Sequence, residues 1–178
     1  SEDDGTMAIE QPTYKVLNTH NGIEVRDYDE YWVAECYVSN ISDLSQASSW
    51  AFGRLFNYIS GDNSASQKIA MTSPVQQIPS DTGWLVSFVV PKDVSLGEIP
   101  APANSTISIR KVEAGRYAAL QYSGLWNDKK FATKSEELLK ACERSGLSVI
   151  GPVCSAVYNP PFMPPFLRRN EVFVRLEK

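Results

Sequence analysis

The chain has 178 residues, 43% hydrophobic and 21% charged, with 17 basic and 21 acidic side chains and a formal net charge of −4. A chain of that size and mix can bury roughly 70% of its unfolded surface in one domain, which excludes disordered and fibrous classes. No Lys/Arg-rich stretch offsets the acidity, so nucleic acid is not an expected partner; the longest nearly apolar run, residues 84–90, is far short of the roughly 20 residues of a membrane helix, so a soluble protein is expected.

The first residue is Ser1, and the opening residues are acidic and polar. Two origins fit. Met7 is the natural start behind a tag remnant, giving a cytoplasmic protein, or a targeting segment has been removed, giving a periplasmic or plastid one. Residues 1–10 are expected to be flexible and residues 11–178 to form a single domain.

Val, Ile, Tyr and Trp concentrate in strands predicted at residues 13–17, 22–28 and 31–38, with Asn21-Gly22 as a hairpin turn. The period then changes. Phe52, Leu55, Phe56 and Ile59 fall at helical spacing within residues 45–60, and Gly61 follows as a stop signal. Strands return at 68–77 and 84–91, before a connection punctuated by Pro91, Gly97, Pro100 and Pro102.

The second half repeats this order, with strands at 106–112 and 116–122, a helix at 127–145, and strands at 153–158 and 171–176. Val25-Arg26 and Val33-Ala34 precede Ile109-Arg110 and Tyr117-Ala118 by 84 positions, the offset that also relates the helices, and Phe88 matches Val174 at 86. The chain is therefore read as an internal duplication, with repeats at about 13–91 and 104–177. Neither repeat can cover its own sheet, so the halves should pack as a barrel-like antiparallel sheet about a pseudo-two-fold axis, with the helices outside. A groove at that axis or beside a helix is the natural ligand site.

Catalytic signatures are absent. His20 is the sole histidine and sits beside a turn; Cys36, Cys142 and Cys154 have no metal spacing and read as free buried thiols. There is no phosphate loop or dinucleotide fingerprint. The carboxylate clusters Glu136-Glu137 and Asp27/Asp29/Glu30 suit solvated faces, so the protein is read as a non-enzyme.

On the first helix, Trp50, Gly53, Arg54 and Asn57 form a second stripe that joins an aromatic, a bare backbone patch, a cation and an amide. Gly53 costs about 1 kcal/mol relative to Ala in mid-helix, so a ligand or a crossing element should approach closely there. Arg54 offers a planar fork suited to a carboxylate. Pro74, within Lys68-Ile69-Ala70-Met71-Thr72-Ser73-Pro74-Val75, makes that segment a rim strand or a bulged one. The proline-rich loop 158–172 holds Phe162, Met163 and Phe166 in a stiff flap that covers a ligand, closes the barrel end, or docks a partner or second copy.

The segment Lys68 to Val75, Tyr158-Asn159-Pro160-Pro161, Arg168-Arg169-Asn170-Glu171-Val172, Tyr14-x-Val16-Leu17 and Glu24-Val25-Arg26 together resemble the SOUL family of haem-binding proteins, over about residues 10–176. The resemblance implies an α+β fold: a distorted antiparallel β-barrel of two pseudo-two-fold-related βαββ-like repeats with two helices packed outside. It also implies haem or another tetrapyrrole held reversibly, as ligand and not catalytic cofactor, in a shallow hydrophobic groove beside the first helix. Trp50, Gly53, Arg54, Asn57, Lys68, Met71, Phe162 and Met163 are the candidate contacts, with Arg54 and Lys68 facing the propionates. The family's helix-borne histidine ligand has no counterpart here. Met71, Met163, Tyr158, His20 and the cysteines are the remaining donors, with no metal ligand assigned among them. The fold implied is also similar to gyrase-inhibitor-like small-molecule domains, some of them enzymes, which leaves a binding domain or a hydrolase for a non-haem apolar ligand as the alternative. The assembly expected is a monomer or weak dimer.

Overall fold

Strand-strand-helix-strand-strand, twice over, is the order found in the computed structural model, which describes residues 9–159 and 163–178. The first half contains β1 (Tyr14–His20), β2 (Ile23–Tyr28), β3 (Tyr31–Ser39), α1 (Leu44–Ile59), β4 (Val75–Ser80) and β5 (Gly83–Val89). A single helical turn, α2 (Lys92–Ser95), leads to β6 (Ile107–Val112), β7 (Gly115–Tyr122), α3 (Asp128–Arg144), β8 (Val149–Val157) and β9 (Asn170–Leu176). The hairpin joining β1 to β2 turns at Asn21 and Gly22, whose φ values of 49° and 80° are left-handed, as an Asn-Gly turn requires.

The nine strands of the described residues form one antiparallel sheet in the order β1-β2-β7-β9-β8-β4-β5-β3-β6. Exchanging β2 with β6, β3 with β7, β4 with β8 and β5 with β9 reverses this order onto itself. The pseudo-two-fold axis therefore passes between β4 and β8, and among the described residues β1 is the one strand without a counterpart. The first strand of each repeat is exchanged: β2 pairs with β7 of the other half, and β6 pairs with β3. The curled sheet does not close, because β1 and β6 end it.

Alternation along the strands divides the side chains between two faces. Ala34, Cys36 and Val38 of β3 with Val86 and Phe88 of β5 meet Ala47, Ala51, Leu55 and Ile59 of α1 in one buried cluster. Val25, Ala118, Leu120, Val172 and Val174 meet Leu138, Ala141 and Cys142 of α3 in the other. The opposite face carries Arg26, Tyr28, Glu35, Gln76, Ser87, Arg110, Tyr117 and Glu171.

Two expectations change. Residues 68–74 are not a strand: Ile69 donates its N–H to Ile59 at 2.8 Å, Thr72 Oγ1 donates to the Val89 carbonyl at 2.6 Å, and β4 starts only at Val75, after the cis Ser73-Pro74 peptide. β4 is also no rim. It lies between β5 and β8, and the proline within it, Pro79, falls beyond the Val75–Gln77 stretch that pairs with β8. The carbonyl of Glu10, the last residue of the segment expected to be flexible, accepts from Ser73 N–H, and its carboxylate accepts from Lys92 N–H. Among the described residues no helix is long and apolar enough to cross a membrane.

Candidate functional site

Helix α1 packs on β3 and β5 through its small and aliphatic stripe, which leaves the outer side chains to shape a surface. Leu55 and Ile59 are buried as predicted, but Phe56 is 49% exposed and Phe52 half-buried, the two rings 6.3 Å apart. Phe56, Ile59 and Ser60 from the end of α1 join Lys68, Ile69 and Met71 of the following segment around an open concavity of about 500 Å³. Met71 is 42% exposed, so two large apolar side chains and a lysine line a surface that water reaches. Leaving such groups uncovered forgoes burial energy of about 25 cal/mol per Å², which a flat apolar ligand would recover.

The predicted residues divide. Lys68 and Met71 line the concavity. Gly53 and Asn57 are exposed, and at about 100° per residue Phe56 and Ser60 lie next to them around the helix. Trp50 and Arg54 lie toward the other flank and are occupied with each other: the guanidinium stacks 3.4 Å from the indole and Nη1 donates to the Trp50 carbonyl at 3.0 Å. Among the described residues no crossing element explains Gly53, because a methyl group placed there would meet nothing within 4 Å. Met163 is half-buried and does not line the concavity, and its carbonyl accepts from Arg168 Nε at 2.8 Å. Phe162 lies outside the described residues. Phe56, Ile59, Ser60 and Ile69 were missed as lining residues; an aromatic pair at i, i+4 beside an interior glycine was the available signal for Phe56.

Alternative donors are placed elsewhere. His20 pairs with Ile23, which belongs to the core under α3, on the half opposite α1. Cys36, Cys142 and Cys154 are buried free thiols, and burial raises each one's pKa, that of Cys154 to about 12. No group of three or more His, Cys, Asp or Glu among the described residues could hold a metal ion.

The remaining motif residues converge on the helix-free face. Arg26, 1% exposed, donates Nη1 and Nη2 to Glu171, also 1% exposed, at 2.7 and 2.8 Å, and its Nε to Glu24 at 2.9 Å. Arg169 reaches Glu171 Oε2 at 2.8 Å and Tyr14 at 3.1 Å, while Tyr158 Oη donates to Glu171 Oε1 at 3.2 Å. Burial alone would lower the Arg26 pKa, but the hydrogen bonds and charge of Glu171 raise it overall, so the guanidinium stays charged. Burial, and then the charge of Glu171, raises that of Tyr158. The other half repeats the arginine and relocates the acid: Arg110 pairs with Glu35 at 2.7 Å, and Ser87 Oγ donates to Glu35 at 3.2 Å. These charges are mutually satisfied, and between the two clusters a slot of only about 10 Å³ is lined by Tyr28, Tyr31, Gln76, Tyr117, Ala156, Tyr158 and Phe173. That is room for about one water, not for a macrocycle. Of these two spaces, the concavity beside α1 has the larger volume and the exposed apolar groups.

Comparison with known proteins agrees with this architecture. The model of a family described as SOUL heme-binding protein matches residues 9–175. Heme-binding protein 1 of Mus musculus is 28% identical over 132 residues, covering 70% of this chain and 68% of that protein. Heme-binding protein 1 of Xenopus laevis is 28% identical over 159 residues, covering 84% and 81%. Among solved structures, the EcmrR C-terminal domain shares the fold with a TM-score of 0.63 at 11% identity, over 93% of this chain and 98% of that one.

Proposed function

From the premise that the chain belongs to the SOUL heme-binding protein family, we propose that it is a non-enzymatic, reversible binder of haem or a related tetrapyrrole, and that the ligand lies in the concavity beside α1. The observation that carries this reading is the joint exposure of Phe56 and Met71 around an open surface with Lys68 on its margin. The groups present suit a porphyrin: an apolar floor for the macrocycle and an ammonium for a propionate. Covering a few hundred Å² at about 25 cal/mol per Å² yields several kcal/mol before association costs, enough for a micromolar site.

Lys68 is the propionate partner in this reading, worth about 1 kcal/mol or less because it is exposed. Arg54, stacked on Trp50, shapes the flank. Gly53 leaves a gap against which a ring edge can rest, and Asn57 sits beside it. Retention depends on the macrocycle and needs no histidine; Met71 is the one soft donor in the lining, and the iron's contribution to affinity is secondary. Iron would supply the ligand's redox and axial chemistry, while these side chains bind and orient it.

An absorbance titration with hemin and with metal-free protoporphyrin tests the reading. Saturable binding of both, weakened by Phe56→Asp, is expected. Absence of binding by either, or binding that Phe56→Asp leaves unchanged, would overturn it.

A further inference from the structure

Of the four most exposed large apolar side chains among the described residues, three are carried by two adjoining loops: Phe166 at 76%, Leu125 at 59% and Leu167 at 57%. Leu125 lies between β7 and α3, and the other two lie in the single turn Pro165–Leu167 before β9. Tyr122, at the end of β7, pairs with Asn170, at the start of β9, so both loops leave the sheet at the same end. Their backbones are fastened together. Gly124 donates its N–H to the Pro165 carbonyl at 2.8 Å, and the Gly124 carbonyl accepts from Asn170 Nδ2 at 3.2 Å. Leu167 N–H closes its turn on the Pro164 carbonyl at 2.9 Å, where Pro164 and Pro165 fix two more φ angles. Trp126 secures the first loop, its Nε1 donating to Ser155 Oγ at 2.9 Å. The three apolar side chains are therefore held toward water on a braced backbone.

Two cations accompany them. Lys129 and Lys130 stand in the first turn of α3, both exposed, four and five residues after Leu125. A helix N-terminus carries partial positive charge, so ammonium groups there do not favour the helix. The lysines of α3 that form ion pairs lie further along, Lys134 with Glu137 and Lys140 with Glu136. Lys129 and Lys130 form none among the described residues, and the carboxylate of Asp128 accepts from the Leu44 N–H.

We propose that Leu125, Phe166 and Leu167 dock this chain on an anionic lipid bilayer, entering at the level of the headgroups while Lys129 and Lys130 meet the lipid phosphates and carboxylates. Outward apolar side chains beside unpaired ammonium groups are the combination that a charged bilayer surface binds. β7 and β9 are both interior strands, so no free sheet edge accompanies the three side chains for an added strand of a partner protein. Helix α1 starts at Leu44, beside Asp128, and its 16 residues carry the concavity at its other end about 24 Å away. The two surfaces are separate, and the inference does not depend on haem.

The full chain is sedimented with vesicles of phosphatidylcholine alone and with vesicles that also contain about 30% phosphatidylserine. Saturable binding to the second kind is expected, at least about tenfold tighter than to the first and weakened by salt. Phe166→Ser with Leu167→Ser should abolish it, and Lys129→Gln with Lys130→Gln should weaken it by about tenfold. All four residues are exposed, so urea midpoints should not fall. Because Cys36, Cys142 and Cys154 are buried, a polarity-sensitive dye attached to Leu167→Cys reports insertion, and its emission should move to the blue on the serine-containing vesicles. No binding, equal binding to both vesicles, binding that the double serine variant leaves unchanged, or dye emission unmoved in the bound protein would overturn the proposal. A lipid-free dimer that Phe166→Ser with Leu167→Ser dissociates would overturn it as well, since it would assign the surface to a second copy.

Discussion

The backbone N–H of Leu44 donates to Oδ1 of Asp128 at 2.7 Å, and the two residues stand 84 positions apart, the offset that relates the halves. Equivalent residues can touch only near the pseudo-axis, so the N-termini of α1 and α3 meet there, braced by Trp84, whose ring packs on Phe131 at 5.7 Å and whose indole N–H donates to the Ser42 carbonyl.

Asp43, at the N-cap of α1, makes no side-chain cap bond, whereas Asn127 caps α3 itself. Asp128 thus caps the opposite helix and meets its positive end. Asp128→Ala should lower unfolding free energy by about 1 kcal/mol in a urea melt, with Asp128→Asn retaining most of it. An unchanged midpoint for the alanine variant would show that the bond is replaced by water.

Glu171→Gln tests the buried network. It keeps the shape but removes the buried counter-charge of Arg26, which is 1% exposed and is left with only the partly exposed Glu24, at its Nε, as an ion pair. A loss of about 3–5 kcal/mol is expected by chemical denaturation, far beyond that for removing the exposed Lys140–Glu136 pair.

Alkaline unfolding should begin before ordinary tyrosines finish titrating. Tyr28 and Tyr122 are pushed from 10.0 up to about 12, and Cys154 from 9.0 up to about 12, in each case chiefly by burial. The folded state keeps these protons while the unfolded chain releases them near the ordinary values. Their stabilisation is complete below about pH 9 and is lost as pH rises toward about 12. Denaturation midpoints measured across that window should fall, with tyrosinate absorbance rising in step with loss of structure.

Gly53→Ala should stabilise the protein by about 1 kcal/mol, since the added methyl meets nothing within 4 Å and the helix gains propensity. The same variant should weaken tetrapyrrole binding if the ring edge rests there. Melting and titration on one sample separate the two effects.

Side-chain placement separates two other variants. Phe56→Asp should reduce hemin affinity at least about tenfold, equivalent to about 1.4 kcal/mol, without unfolding, because the residue is exposed. Arg54→Ala should change it by less than about threefold, since Arg54 is committed to Trp50. The reverse ranking would move the ligand onto the opposite flank of α1.

The duplication was legible because it rests on local patterns: α3 begins at Asp128 against a predicted 127, and Gly22 turns the hairpin as its type demands. Residues 68–74 misled because Ile69, Met71 and Val75 fall on one parity, as on one face of a strand, while the bonds of Ile69 and Thr72 run to α1 and β5 through a single N–H and a hydroxyl instead of a ladder. Phe56 shares the spacing of Leu55 and Ile59, but the buried stripe of Leu44, Ala47, Ala51, Leu55 and Tyr58 is centred about 140° around the helix from it at about 100° per residue. The union of Arg26 with Glu171 spans 145 positions and was out of reach of any periodicity.

The exchange of first strands also bears on vectorial synthesis. While the first half emerges, β2 has no β7 to join and β4 has no β8, so neither repeat is complete as a folding unit. The sheet's central gap is filled by β9, the last strand in chain order, which slots between β7 and β8. A ribosome must therefore release almost the whole chain before any inner strand of the second half has both neighbours, and loss of only residues 170–176 would remove an interior strand and split the sheet in two.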